Sequence, residues 1–513
     1  MGQSRKNVLL IITDQQRATQ IFESENGGAP DLPAMDRLAK HGLSFNTTTC
    51  NTCMCSPSRT TLFTSQYPAQ TKVTQTLSYD GVYAVGQHSL DPNIPNMGNI
   101  FANAGYDVQY RGKWHLSKAA NRPADPNAVT AADIALFGFK GWVPPDAGED
   151  ASPEHFGGGW PNQDAKYIAE AHEWLKKRRD SDTEDPFLMV LSLVNPHDVL
   201  GYPSRYKYGY TDEDLQGDLT LPPSVNENLN TNHKPKAQVQ LKAVSGAGLG
   251  LLNTPEKQTN YLNFYANLCS KIDHQIDELL LELFYDEDGP NDFFNDTLII
   301  RTSDHGEMGM SHGGLRQKAY NVYEEVLRVP MIWANPDWFP EAQETDNLFS
   351  LVDVLPTLVG KVLDGDVPSD ITDNFAGVDA TAMVNDPSVS VQDQVLFTFD
   401  DVRASSASQE YVVNAPDRIR CVRQAGWKYA EYFDADSTYA REYELYDLTK
   451  PSPQIPPNSG KGGLEYHNLY YDDDGNENQD PKIQDQIATM QQALADLMAD
   501  KLYSLPGQAA YQD

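Results

Sequence analysis

Five cysteines in a chain of 513 residues are too few, and odd in number, for a disulfide framework, although three crowd together at Cys50, Cys53 and Cys55. A reducing compartment is expected. Long hydrophobic runs are missing too: the opening run, Val8 to Ile12, is too short for a signal-peptide core, and no later stretch approaches about 20 apolar residues. A cytoplasmic protein with no membrane partner is expected. Basic residues are scarce, 39 Lys+Arg against 73 Asp+Glu, for a formal net charge of −34. Such a surface repels phosphate backbones, which excludes a nucleic-acid role and requires any anion site to be built locally.

What the chain does have is 40% hydrophobic residues and alternation. Short apolar runs at Val8–Thr13, Asp107–Arg111, Phe187–Val194, Thr297–Ser303 and Val329–Ala334 read as strands buried on both faces. Between them, Pro33 to His41, Asn96 to Ala104 and Gln163 to Arg178 read as helices, and Tyr261, Phe264, Leu268, Ile272, Ile276, Leu279 and Leu283 mark one face of a long helix. This is an α/β plan with a largely parallel sheet flanked by helices. Polar stretches at Lys118–Gly159 and Leu200–Thr254 interrupt it as long loops where substrate specificity can reside. We place the first, α/β domain at 1–387. Residues 388–513 form a smaller α+β domain, with strands at Gln394–Phe399, Gln409–Val413, Gly426–Phe433 and Tyr443–Leu448 and a terminal helix carrying Ile483, Ile487, Met490, Leu494 and Leu497.

Four of the buried runs stop at reactive side chains: Asp14-Gln15, Lys113-Trp114-His115, Asn195-Pro196-His197 and Asp304-His305. Parallel strands end on one edge, where α/β proteins bind ligands, so these residues are expected to converge. In Cys55-Ser56-Pro57-Ser58-Arg59, Ser56 and Pro57 read as a helix start, with Ser56 as the cap. Cys55 then sits at a positive helix end, with Arg59 about one turn on. Cys50, Cys53, Cys269 and Cys421 are read as buried thiols, because a zinc cluster would need a second cysteine pair that is absent.

Asp14, Gln15, Asp304 and His305 make an oxygen-rich donor set with one imidazole, suited to a divalent cation. Ca2+, Mg2+ and Mn2+ suit such mixed ligation, the histidine favours Mn2+ or Zn2+, and the donors alone leave the ion open. Arg59, Lys113, His115, His197 and Lys318 supply cations and proton carriers around an oxyanion. His312 either joins them or holds its loop. Asp400 and Asp401 read as a solvated acidic turn, or else reach the cleft to favour a cationic substrate. Asp472-Asp473-Asp474-Gly475 fails as an EF-hand, because Tyr470 would stand at the first ligand position.

These motifs resemble those of type I, formylglycine-dependent sulfatases of the alkaline phosphatase superfamily. Cys55-Ser56-Pro57-Ser58-Arg59 matches the modification signature, Gly112-Lys113-Trp114-His115-Leu116 the next motif, and Ser303-Asp304-His305-Gly306-Glu307 with Lys318 and Tyr323-Glu324-Glu325 the third. The resemblance implies an alkaline phosphatase-like fold and a Cys55 oxidised by a formylglycine-generating enzyme. It also makes residue 55 a metal ligand. One hydroxyl of the hydrated aldehyde attacks sulfur with Asp304 as base, His197 and Lys318 serve the leaving oxygen, and His115 deprotonates the second hydroxyl to release the product. Arg59 and Lys113 orient the diol. The implied substrate is a small aryl or alkyl sulfate ester, and a homo-oligomer is left open.

Two departures resemble the branch containing phosphonate monoester hydrolases and choline sulfatases: Asp14-Gln15 where many sulfatases carry two acids, and Asp304-His305 where many carry Asp-Asn. A phosphonate monoester hydrolase or phosphodiesterase, or an enzyme doing both, is the alternative; a silent binder of sulfated molecules would be expected to have lost one of these side chains. Thr64-Ser65-Gln66-Tyr67-Pro68 lacks the glycine common at that point.

Overall fold

Successive side chains of the first strand, β1 (Asn7–Asp14), go to different cores. Val8, Leu10 and Ile12 pack with Leu62, Phe63, Leu355 and Leu358, whereas Leu9 and Ile11 pack with Leu175, Ile272, Ile276 and Leu279. A strand with helices on both faces must be apolar at every position, which is why these runs were legible. The computed structural model describes residues 5–77, 87–119, 129–148, 152–183, 185–401, 413–449 and 465–503.

The central sheet adds β2 (Gly42–Phe45), β3 (Asp107–Gly112), β4 (Phe187–Pro196), β5 (Thr297–Ser303), β6 (Met331–Ala334) and β7 (Gln343–Thr345) in the order β7-β2-β6-β5-β1-β4-β3. Its largely parallel character holds, and β6 alone runs against its neighbours. Pairing of Gly112 with Ser192, Asp14 with Pro196 and Thr13 with Ser303 brings four carboxyl ends level on one edge. Helices α1 (Cys55–Thr64), α2 (Gln163–Arg179) and α3 (Pro255–Phe284) flank the sheet. The stretch read as a long loop after Leu200 is more ordered than expected, because Lys236–Leu249 is helical. Its buried Ala237, Gln238, Leu241 and Ser245 are too few and too small to stand out as an apolar face. No helix among the described residues is long and apolar enough to cross a membrane.

A second, antiparallel sheet follows, with strands β8 (Gln394–Phe399), β9 (Arg418–Gln424), β10 (Trp427–Phe433) and β11 (Glu442–Asp447) paired in that order. The sequence reading missed β9 because three arginines interrupt its apolar pattern; the proposed run at Gln409–Val413 lies, apart from Val413, outside the described residues. One face carries Leu396, Val422, Tyr429 and Leu445 beneath Ile487, Met490, Leu494 and Leu497 of helix α4 (Pro481–Lys501). The other face contributes Phe397, Ile419, Cys421 and Tyr432 to the same core as β1.

Buried ion pairs fasten this second sheet beside the first. Glu324 meets Arg423 at 3.0 Å and Lys428 at 2.6 Å, and Lys428 also meets Glu465 at 2.6 Å. Burial pushes the Glu324 carboxyl up, but Arg423 and Lys428 outweigh it and hold the group well below the usual carboxylate range. Removing one partner of such a pair leaves uncompensated buried charge, so Glu324→Ala should cost about 3–5 kcal/mol at pH 7. A depressed acid stabilises the fold above its unfolded pKa and loses that contribution as pH falls. The gap between wild type and Glu324→Ala in thermal unfolding should therefore narrow as pH is lowered from 7 toward 3.

Candidate active site

At the carboxyl edge, strand ends supply ligands and α1 supplies the reactive position. Cys55 is the first residue of α1, 2% exposed, and Met54 before it makes no side-chain cap. The expected capping by Ser56 does not occur: its Oγ accepts the backbone N–H of Leu77 instead, because Ser56 already lies inside the first turn. The first amides of α1 are thus left without a side-chain partner, at the end of the helix where the dipole favours negative charge.

Arg59, one turn on, is fully buried and bonds to the ends of four strands. Its Nε donates to Asp304 Oδ2 at 2.9 Å, and Nη1 donates to Ser192 Oγ at 2.7 Å and to the Lys113 carbonyl at 3.2 Å. Nη2 lies 3.5 Å from Asp14 Oδ2. Lys113 completes the link, its Nζ donating to Asp14 Oδ2 at 2.5 Å and to the Gly148 carbonyl.

Cys55 belongs to a buried donor cluster. Ligand atoms of Asp14, Cys55, Asp304 and His305 all lie within 4.8 Å of one another, and all four residues are buried. His305 Nδ1 is 3.1 Å from the Gly306 carbonyl, which requires a proton on Nδ1 and turns Nε2 toward the cluster, 3.2 Å from Cys55 Sγ, as the nitrogen that would meet a cation. Gln15 Oε1 accepts from Lys318 Nζ at 2.6 Å, and that ammonium is 3.5 Å from Cys55 Sγ. Two carboxylates, an amide oxygen and a correctly oriented imidazole fit a divalent cation held by Asp14, Gln15, Asp304, His305 and residue 55.

Cys55 also interacts with Lys113, Lys318, His115 and His197. The Nε2 of His115 is bonded to the Leu77 carbonyl, so that nitrogen carries the proton, and Nδ1 is buried without a hydrogen-bond partner. Asp146 fixes the preceding turn by accepting the N–H groups of Trp114 and His115 at 2.7 and 2.9 Å. His197 opens a short 3-10 turn after β4. Burial drives its pKa down to about 4, Asp14 opposing and Lys113 adding to the effect, so the ring is neutral at pH 7.

These charges act on the acids and on the thiol. Burial and Cys55 push Asp14 up, yet Lys113, His197 and His305 hold it well below the carboxylate range. Asp304 is raised, by burial and by Asp14, despite His305 and Arg59. Burial would raise the Cys55 thiol, but Lys113, Lys318 and His305 hold it well below its ordinary value.

All ten site residues named from the sequence therefore assemble here. His312 does not join them: it stacks on Tyr323 at 3.7 Å between Glu227 at 2.8 Å and Glu325 at 3.4 Å. Asp400 and Asp401 are not a solvated turn, being buried against Arg420 at 3.0 Å and the Thr76 N–H at 2.7 Å. Ser65 takes the left-handed cap of α1 at φ 54°, where a glycine would be free of strain, while its Oγ bonds to Val352 O and Gly377 N. Sequence reasoning missed Ser192, Asp146 and Gly148, whose local sequences carry no signal of the arginine, turn and lysine they serve.

The family model described as Sulfatase matches residues 6–362. An uncharacterized sulfatase of Escherichia coli (strain K12) is 27% identical over 389 residues, 69% of this chain and 67% of that protein. An ulvan-active sulfatase of Formosa agariphila is 26% identical over 397 residues, 74% of this chain and 66% of that protein. A Delta 4,5-hexuronate-2-O-sulfatase of Bacteroides thetaiotaomicron is 23% identical over 459 residues, 88% and 83% of the two chains. Among solved structures, a phosphonate monoester hydrolase from Silicibacter pomeroyi has a TM-score of 0.67 at 19% identity, covering 99% of this chain and 100% of its own. A 2-O GAG sulfatase has a TM-score of 0.65 at 21% identity, covering 96% and 92%. These two structures share the fold.

The five thiols differ in reactivity. Burial raises Cys50, Cys53, Cys269 and Cys421, with Cys269 near 12, whereas Cys55 is lowered. In protein produced without the maturation system, iodoacetamide at pH 7 should alkylate Cys55 ahead of the other four, read by peptide mass spectrometry.

Proposed function

The chain belongs to the sulfatase family of sulfuric ester hydrolases, and from that premise we propose that it hydrolyses sulfate monoesters of small aryl or alkyl alcohols, with Cys55 matured to formylglycine beside one divalent cation. The observation that carries this reading is the set of groups gathered at Cys55: ligand atoms of Asp14, Asp304 and His305 within 4.8 Å, and the ammonium groups of Lys113 and Lys318 bonded to Asp14 and Gln15 beside it. The carboxylates and the imidazole suit a cation and the two ammonium groups an oxyanion, so an acidic protein can hold an anionic ester.

Hydrated formylglycine supplies an oxygen nucleophile and a second hydroxyl to expel sulfate, and the cation, calcium first with Mn2+, Mg2+ or Zn2+ as alternatives, lowers the charge at that oxygen. The residues of the chain do the rest. Asp304, kept basic by burial and by Asp14, takes the first proton, and Arg59 fixes its carboxylate. Lys113 holds Asp14 and offsets charge at residue 55. Lys318 provides a proton for the leaving oxygen. His197, neutral at pH 7, donates a hydrogen bond to the ester rather than acting as a cationic acid. His115 Nδ1 receives the proton released when sulfate departs, because its other nitrogen is committed to the Leu77 carbonyl. This reading requires a formylglycine-generating enzyme as a maturation partner.

The second reading, a phosphonate monoester hydrolase using the same site or an enzyme active on both ester classes, is favoured by the Gln15 and His305 donors. Phosphonate and sulfate monoesters are both tetrahedral oxyanions, so the same site accommodates either.

Mass spectrometry of the Cys55 peptide, from protein co-produced with a formylglycine-generating enzyme, should show an aldehyde in place of the thiol. Cys55→Ala should abolish turnover with the fold intact, and Cys55→Ser should leave at most slow or single-turnover chemistry; sustained wild-type turnover by either refutes the mechanism. Matched sulfate and phosphonate esters should give the higher kcat/KM for sulfate, and the reverse order assigns the enzyme to the second reading.

A further inference from the structure

Gln15 is held more completely than a cation ligand on a strand end requires. Its backbone lies in the left-handed region at φ 72°, with its N–H donating to Asp304 Oδ1 at 3.1 Å and its carbonyl accepting from Tyr265 at 2.7 Å. Its side-chain amide is held at both ends. Oε1 accepts from Lys318 at 2.6 Å, while Nε2 donates to Glu307 Oε2 at 2.5 Å and more weakly to Gln317 Oε1 at 3.3 Å.

Glu307 is itself fixed. It is fully buried, and its other oxygen accepts Tyr261 OH at 2.7 Å, the Gln317 N–H at 2.9 Å and the Gly309 N–H at 3.3 Å. No lysine, arginine or histidine forms an ion pair with it among the described residues, and its two oxygens accept four hydrogen bonds. Tyr261 and Tyr265 stand one turn apart on α3, one gripping Glu307 and the other Gln15.

From this arrangement we infer that Glu307 is a positioning residue that dictates an amide at position 15 and turns its oxygen toward the cation site. A primary amide fits its cavity in two orientations. The flipped one sets an N–H against the Lys318 ammonium and a lone pair against the Glu307 carboxylate, so charge on both sides rejects it. Oε1, with two lone pairs, is left on the side of Lys318 and Cys55. The same charge rejects an acid: a carboxylate at 15 would lie about 2.5 Å from Glu307 with no cation between them. The inference rests on the reading of Gln15 as a cation ligand.

Calorimetric titration of chelator-stripped protein with Mn2+ alone and with Ca2+ alone tests it, with unfolding midpoints measured in parallel. Glu307→Gln should weaken binding about 10- to 100-fold, the range typical of groups that orient a ligand. Gln15→Glu should also weaken it, by setting two carboxylates together. The double variant Gln15→Glu/Glu307→Gln should recover most of the loss, because the amide introduced at 307 donates to the acid introduced at 15. A merely structural Glu307 would give additive losses instead. Glu307→Gln binding within twofold of wild type, or a double variant no tighter than Gln15→Glu, overturns the inference and leaves the cation site standing. Should Glu307→Gln fail to fold, the comparison of Gln15→Glu with the double variant decides in the same way. If wild type binds neither ion, the cation reading itself fails, and this inference with it.

Discussion

One guanidinium holds the catalytic edge together. Arg59 reaches Asp14 at the end of β1, the Lys113 carbonyl after β3, Ser192 on β4 and Asp304 after β5, without exposure to solvent. A planar fork of five donors is suited to such a task, and a lysine is not. Because Arg59 is one turn from Cys55 on α1, the same contact that gathers the strand ends also sets the height of the reactive residue above them. Asp14, Asp304, the Lys113 backbone and residue 55 are therefore gathered around a single side chain.

The second constraint is electrostatic. A chain with a formal charge of −34 concentrates cations at one buried point. Asp14 and Asp304, close neighbours in space, are driven apart in acidity: Lys113 beside it holds Asp14 ionised, and burial with its neighbour's charge makes Asp304 the more basic. Two carboxylates in one site with different affinities for a proton can divide the work of binding a cation and moving a proton. Glu307 extends the same logic outward, acting on the cation site through the orientation of a neutral amide.

The later sheet is part of this architecture. Its inner face shares the core beneath β1, and Glu324, adjacent to the segment carrying Lys318, is locked to Arg423 and Lys428. The arginines that hid β9 in the sequence reading are the residues that make the junction. Buried charge interrupts the apolar periodicity by which a strand is recognised, and its partners lie far along the chain.

The sequence alone determined the strands and the edge they share. Apolar runs buried on both faces are continuous, and each ends abruptly where chemistry begins. It also marked Cys55, Arg59, Lys113, His115, His197, Asp304, His305 and Lys318 as candidates, because they stand at strand ends, at a helix start or in motifs, and these side chains do meet in space. Tertiary structure alone decided what each polar group bonds to: Ser56 to a distant amide rather than its own helix, His312 to glutamates away from the site, Asp400 to a buried arginine, and Glu307 to Gln15. The physical reason is range. Secondary structure follows from periodicities of two to four residues, whereas hydrogen-bond and ion-pair partners are chosen by proximity between segments as distant as residues 15 and 307, which no local pattern records.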